Sequence, residues 1–150
     1  MSEALLFMRW PELGKQVRLR PIEHNQGVFE WMVENAPLRG LQGHALVSGY
    51  ALATLNVGLP KPFPWREKDL TKDNMATMPE GRLMLFMPTG KVVSMYCKWG
   101  EVTEPMYYGT WAQVVDEDKD TLSEVGQKIW SIFLSNKKDI VHVEFVKAEE

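Results

Sequence analysis

Apolar and polar side chains alternate with a period of two over the first segments of the chain. Leu5 to Trp10 and Gln16 to Ile22 therefore read as strands, with Val17 and Leu19 on one face and Arg18 and Arg20 on the other. Pro11 and Gly14 supply turn chemistry between them. The period then lengthens. Val28, Phe29, Met32, Val33 and Ala36 recur at helical spacing, so Asn25 to Ala36 reads as a helix with Asn25 as its N-cap and Pro37 as its stop. Leu41 to Val57 carries no charged residue, which suits central strands, and Gly49 marks a bulge or bend within it.

Gly58 to Gly81 differs in kind. Pro60, Pro62, Pro64 and Pro79 exclude a regular ladder and a helix alike, so this reads as a long loop. Two roles are open to it: a surface excursion pinned to the barrel by Phe63 and Trp65, or a lid over a binding site. Strands resume at Arg82 to Met87 and Lys91 to Trp99, joined by the turn Met87-Pro88-Thr89-Gly90, and continue at Tyr107 to Val115. Thr121-Leu122-Ser123-Glu124 has the form of a capping box, and Leu122, Val125, Ile129, Ile132 and Phe133 make one apolar stripe ending near Asn136. Asp139 to Lys147 closes the pattern as a strand with Val141, Val143 and Phe145 on one face. About seven or eight strands joined by short turns, with two helices, predict a mainly β fold: a closed, mostly antiparallel barrel whose ends the helices cover.

Composition narrows the function classes. At 150 residues and 45% hydrophobic, the chain suits a single domain, 1–150, with one core. Twenty acidic against 17 basic residues, a net charge of -3, offer no pull on a phosphate backbone, so no nucleic-acid partner is expected. The run Asp116 to Asp120 lacks the glycine and terminal glutamate of a calcium loop and reads as a solvated loop. The lone Cys97 lies in an apolar segment and reads as a buried, inert thiol. The N-terminal segment lacks signal-peptide features, and no apolar run approaches the ~20 residues of a membrane span. A cytoplasmic protein is expected, with no membrane partner.

The dispersed histidines show no ligand spacing, so no metal and no other cofactor is expected. His24, at the start of the first helix, reads as a local residue, and His142, alternating with Val141 and Val143, as a surface one. His44 is the candidate acid or base, with Ser48 and Tyr50 on its face of the strand. Four strand residues separate His44 from Ser48, roughly 13 Å, too far for a direct dyad. Two placements are open for His44: a pocket wall, or a core ring bonded to a backbone carbonyl. Trp99, Tyr107, Tyr108, Trp111 and Gln113 make a second candidate wall, with Trp111 and Gln113 on one strand face. Aromatic walls with a few amide and hydroxyl groups suit a small organic ligand.

Several strings, taken in order, carry a resemblance: Glu34-Asn35-Ala36-Pro37, then His44-Ala45-Leu46-Val47-Ser48-Gly49-Tyr50-Ala51, then Asp73-Asn74 and Met78-Pro79-Glu80-Gly81. Over about Gln16 to Val146 the chain resembles an uncharacterised bacterial and archaeal family with a cyclophilin-like barrel. That family's Asn-His pair before the last helix has no counterpart near Gly109. The resemblance implies a cyclophilin-like fold and raises prolyl isomerisation as an activity. The cyclophilin reaction uses an arginine on the strand after the first helix, and here no Lys or Arg lies between Arg39 and Lys61. The expected function is recognition of a small organic molecule on the barrel, by a catabolic enzyme or an accessory protein, with proton transfer by His44 and binding by Ser48, Tyr50, Trp99, Tyr107, Trp111 and Gln113. A non-catalytic homo-oligomeric module built on exposed edges, Phe63 and Trp65 is the alternative. A prolyl isomerase is the second.

Overall fold

A computed structural model describes residues 5–46, 49–136 and 139–148, apart from the side chain of Met87. Among the described residues nine strands form in chain order: β1 (Leu6–Trp10), β2 (Lys15–Pro21), β3 (Leu38–His44), β4 (Gly49–Gly58), β5 (Lys72–Asn74), β6 (Arg82–Thr89), β7 (Val92–Val102), β8 (Tyr107–Val114) and β9 (His142–Lys147). Two helices join them, α1 (Gln26–Asn35) and α2 (Lys119–Leu134). The sheet runs β2-β1-β9-β3-β4-β7-β6-β8, and a further β2–β8 pairing closes it. The result is an eight-stranded antiparallel barrel, with β5 added outside on β8. The closing pairs join β2 and β8 over Leu19–Pro21 and Ala112–Val114, which shortens the free edges that could template association.

Alternation decides which residues fill the barrel. Leu6, Met8 and Trp10 of β1, Val17 and Leu19 of β2, and Val143 and Phe145 of β9 all lie in one buried cluster. The helices close opposite ends. At one, Phe29 of α1 packs on Trp111 with ring centroids 6.0 Å apart. At the other, α2 lays Leu122, Val125 and Ile129 over the ends of β2, β3 and β7. Cys97 is fully enclosed, and burial pushes its thiol up to about 12. A thiol held protonated in this way will not react with an aromatic disulfide reagent in the native protein; labelling should appear only in denaturant, and fast native labelling would contradict the packing.

Three local expectations are corrected. Asn25 is the N-cap residue of α1, but its side chain does not cap: it sits in the left-handed region at φ 55, and Nδ2 bonds outward to the carbonyls of Thr71 and Thr110. Helix α2 starts before the Thr121 box, because the acidic run is not a free loop. Asp116–Asp118 form a 3-10 turn whose Asp118 carboxylate accepts from the backbone N–H and guanidinium of Arg18. The proline-rich segment contains β5 as well as loop, since Lys72 to Asn74 lie beyond the closely spaced prolines and pair with β8. Its first part is pinned: Phe63 is buried edge-on against Trp31 at 5.3 Å, and Trp65 packs on Phe63 and over Gly27. These aromatics cover the α1 end, while the later part of the segment packs Met75 and Met78 in an outer cluster with Ala45 and Val102.

Candidate functional site

The uncharged stretch brings His44, the last residue of β3, and Tyr50, the second of β4, to the α2 end of the barrel. Gly49 between them has φ 141, and a Cβ there would stand 2.3 Å from the Glu101 carbonyl oxygen; only glycine lets β4 start this close to β7. Trp99 arrives at the same end from β7. Its indole lies flat beneath Gly126 of α2, where a Cβ would be 2.2–2.5 Å from the ring. Trp130, one turn further along α2, completes the group.

His44 is the hub. Its Nδ1 lies 2.7 Å from the Ala45 carbonyl oxygen, to which it must donate; its Nε2 then accepts the indole N–H of Trp99 at 3.0 Å. The ring is only 4% exposed and is packed by Trp130 (centroids 4.5 Å apart), Trp99 (5.9 Å) and Phe133 (6.5 Å). Burial drives its pKa below the ordinary histidine range, against the raising effect of the Ala45 bond, so the imidazole is neutral. Proton transfer needs a ring nitrogen that is not already engaged, and both are engaged. Of the two placements open from sequence, the structure has the ring bonded to a backbone carbonyl, with its tautomer fixed to hold Trp99.

Beside this hub the surface is hollowed. Tyr50, 44% exposed, tilts over Trp99 at 4.8 Å. One hollow of about 480 Å³ is walled by Tyr50, Trp99, Gln127, Trp130, Ser131 and Leu134. A second of about 420 Å³ is also lined by Tyr50 and Trp130, with Glu101 and Thr103. The two hollows share Tyr50 and Trp130, so aromatic side chains border both, and Glu101 belongs to the second. Hollows near Glu12 and Lys128 are comparable in size, but aliphatic, serine and charged side chains line them and no aromatic residue does.

The other expected site residues are dispersed. Ser48 lies outside the described residues. Trp111 and Gln113 do not share a face: the β6–β8 register shifts between Leu83 and Met84, whose partners are Ala112 and Thr110, so Trp111 sits in a bulge. Trp111 joins Ala112 and Val114 in the core, its indole N–H without a partner, whereas Gln113 leaves the core to accept from Arg82 Nε at 3.1 Å. Tyr107 is 60% exposed at the outer β5–β8 pair, where Asn74 donates to its hydroxyl. Tyr108 packs edge-on against Phe86 on the outer cluster. Trp130, Gln127 and Ser131 lie outside the apolar stripe that the sequence predicts for α2, so periodicity does not point to them; the i, i+4 spacing of Gly126 and Trp130 is the available signal.

Among the described residues no group of three or more His, Cys, Asp or Glu could hold a metal ion, and no helix is long and apolar enough to cross a membrane. The β3–β4 pair carries one basic residue, Arg39, which is exposed and paired with Glu144.

No protein-family model matches the chain, and no curated protein does. Among solved structures the chain is similar to the structure of McbB in complex with tryptophan. The two are 27% identical with a TM-score of 0.75, and the match covers 97% of this chain and 45% of the McbB chain. This chain therefore spans less than half the length of its structural neighbour, and shares its barrel with a protein that binds a small aromatic molecule.

Proposed function

We propose that the protein binds a small, flat aromatic molecule bearing an amine in the cleft between α2 and the β4–β7 end of the barrel. Tyr50 and Trp130 supply faces for stacking, an arrangement worth roughly 0.5–1.5 kcal/mol per ring pair beyond area burial, over a floor made by the covered Trp99. Glu101 faces the amine. His44 acts as a positioning residue, holding the indole of Trp99 at one angle through its fixed tautomer. The observation that carries this reading is the open aromatic cleft anchored by the His44–Trp99 bond. The likeness to tryptophan-bound McbB supports the ligand class, and the order of strings along the chain, with the strand order, supports a cyclophilin-like assignment of the barrel.

The test is calorimetric titration with tryptophan and tryptamine, one zwitterionic and one cationic. Tryptamine should bind the more tightly of the two, because its ammonium meets Glu101 without a carboxylate beside it. Tyr50→Ala should weaken both by about tenfold while leaving the fold intact, since Tyr50 is half exposed. Equal binding by wild type and Tyr50→Ala would remove the cleft from the account. The reading assigns recognition, with or without a reaction to follow it. The alternative of a homo-oligomeric module loses its named anchors, because Phe63 and Trp65 are spent on α1.

A further inference from the structure

One protonation state alone satisfies the hub of the cleft. An indole N–H is a donor only, so the 3.0 Å contact from Trp99 Nε1 requires a lone pair on His44 Nε2. A carbonyl is an acceptor only, so the 2.7 Å contact to Ala45 requires the hydrogen on Nδ1. A second proton can enter only at Nε2, where it would set two N–H groups against each other at 3.0 Å.

The effect of that proton falls on Trp99, because the charged ring keeps its other contacts. The bond from Nδ1 to the Ala45 carbonyl becomes charge-assisted and stronger. Trp130, with its centroid 4.5 Å from the imidazole, is within reach of a cation–π contact. Trp99 loses the acceptor of its N–H. It lines the hollow with Gln127 and Ser131, whose side-chain oxygens can accept that N–H instead. An indole turned toward them leaves its place beneath Gly126 and the Tyr50 ring 4.8 Å away.

Few charges face His44. From β4 comes Tyr50, and from β7 comes Glu101, which lines the second hollow with Ala45 and Trp130. The Lys98 ammonium is turned away to the carbonyls of Met75, Ala76 and Met78. On α2, Glu124 pairs with Lys15, and Lys128 lines the hollows beside Glu12. Arg39 of β3 pairs with Glu144. Of the other histidines, His142 bonds Glu12, and His24 sits with Asp73, Thr110 and Arg82 in a separate polar centre before α1.

We infer that His44 is an acid-operated latch on the cleft: neutral, it holds Trp99 as the floor; protonated, it releases the indole and the cleft loses its hold on an aromatic amine. The loss of ligand rests on the function proposed above, whereas the release of Trp99 does not. Burial already keeps the His44 pKa below the ordinary histidine range, so the latch is closed at neutral pH and opens on acidification. The unfolded chain, with a histidine value of ~6.5, takes up this proton before the folded chain does, so acidification through the window below ~6.5 also lowers stability.

The test begins without ligand, with long-range proton–nitrogen spectra of the histidine rings and indole N–H spectra from about pH 8 to about pH 4.5. His44 Nε2 should read as unprotonated at the upper end, and the Trp99 signal should shift with the His44 transition, not with that of His24 or His142. Tryptamine, cationic throughout, should then lose affinity on acidification, by a factor approaching tenfold per pH unit once the ring is mostly charged. His44→Gln, which offers an amide oxygen to the indole and does not titrate, should flatten this profile; Glu101→Gln should weaken binding and keep the step. A His44 ring that stays neutral throughout, a Trp99 signal that ignores its protonation, or tryptamine affinity that stays level while His44 titrates would each overturn the latch. So would a step that survives His44→Gln and disappears in Glu101→Gln. Tryptamine that binds at no pH would overturn the cleft, and the ligand-free spectra would still decide the release of Trp99.

Discussion

Gly126→Ala will destabilise the protein by about 2 kcal/mol, although alanine is the better helix former. In an exposed helix interior the change would gain ~1 kcal/mol. Here the new Cβ would lie 2.2, 2.4 and 2.5 Å from Cδ2, Cε2 and Cγ of the Trp99 indole. Those atoms belong to a rigid ring that is 9% exposed, so either α2 lifts or the indole moves, and overpacking of this kind costs typically ~1–3 kcal/mol or more. Moving the indole breaks its bond to His44 Nε2 and tilts the floor of the cleft. Urea denaturation gives the stability, and a double-mutant cycle gives the cause. In a Trp99→Ala background the same Gly126→Ala change should become neutral or stabilising, because the clash is gone. If Gly126→Ala is stabilising in the wild-type background, α2 does not press on Trp99 as described.

Asp73→Ala will cost about 3 kcal/mol. The carboxylate receives the Thr110 hydroxyl, the Arg82 guanidinium and the His24 ring nitrogen on one oxygen, and its removal strands all three. Breaking one partner out of a buried pair costs ~3–5 kcal/mol, and the lower end applies because Asp73 is 25% exposed. Its pKa carries the same information. Burial raises it, but the hydrogen bonds from Thr110 and Arg82 and the charges of His24 and Arg82 outweigh burial and leave it below the ordinary carboxylate range. A depressed carboxylate pKa contributes stability above its unfolded value of ~3.9, and that contribution is lost as pH falls through the folded value. Wild type should therefore lose stability on acidification below pH ~4 more steeply than Asp73→Ala does, measured as urea midpoints from pH 7 to 2.5. Parallel curves for the two proteins would show that Asp73 does not hold the centre.

These effects fall where local sequence said least. The barrel was legible because Val17 and Leu19 alternate with Arg18 and Arg20, and because Leu122, Val125 and Ile129 recur at helical spacing; both are local periodicities. So was the burial of Cys97. His44 and Tyr50 do not share one strand face as the alternation suggests: they belong to different strands, β3 and β4. The bulge at Trp111 was not legible, since one inserted residue shifts a face without changing composition, and it parted Trp111 from Gln113. The start of α2 was masked by its cap: Asp118 is bound by Arg18, 100 residues away. His24 was read as local, yet its partners Asp73 and Thr110 stand 49 and 86 residues along the chain. Trp130 was hidden in the same way: it lies beside the apolar stripe, and its ring meets His44 only once α2 lies on the barrel end.

The chain has six tryptophans, and each indole N–H gives its own signal in a proton–nitrogen correlation spectrum. Titration with tryptamine should move the Trp99 and Trp130 signals together and saturably, while Trp10, Trp31, Trp65 and Trp111 stay in place. Movement of Trp111 or Trp10 with Trp99 and Trp130 still would put the ligand inside or beyond the barrel wall and contradict a cleft roofed by α2.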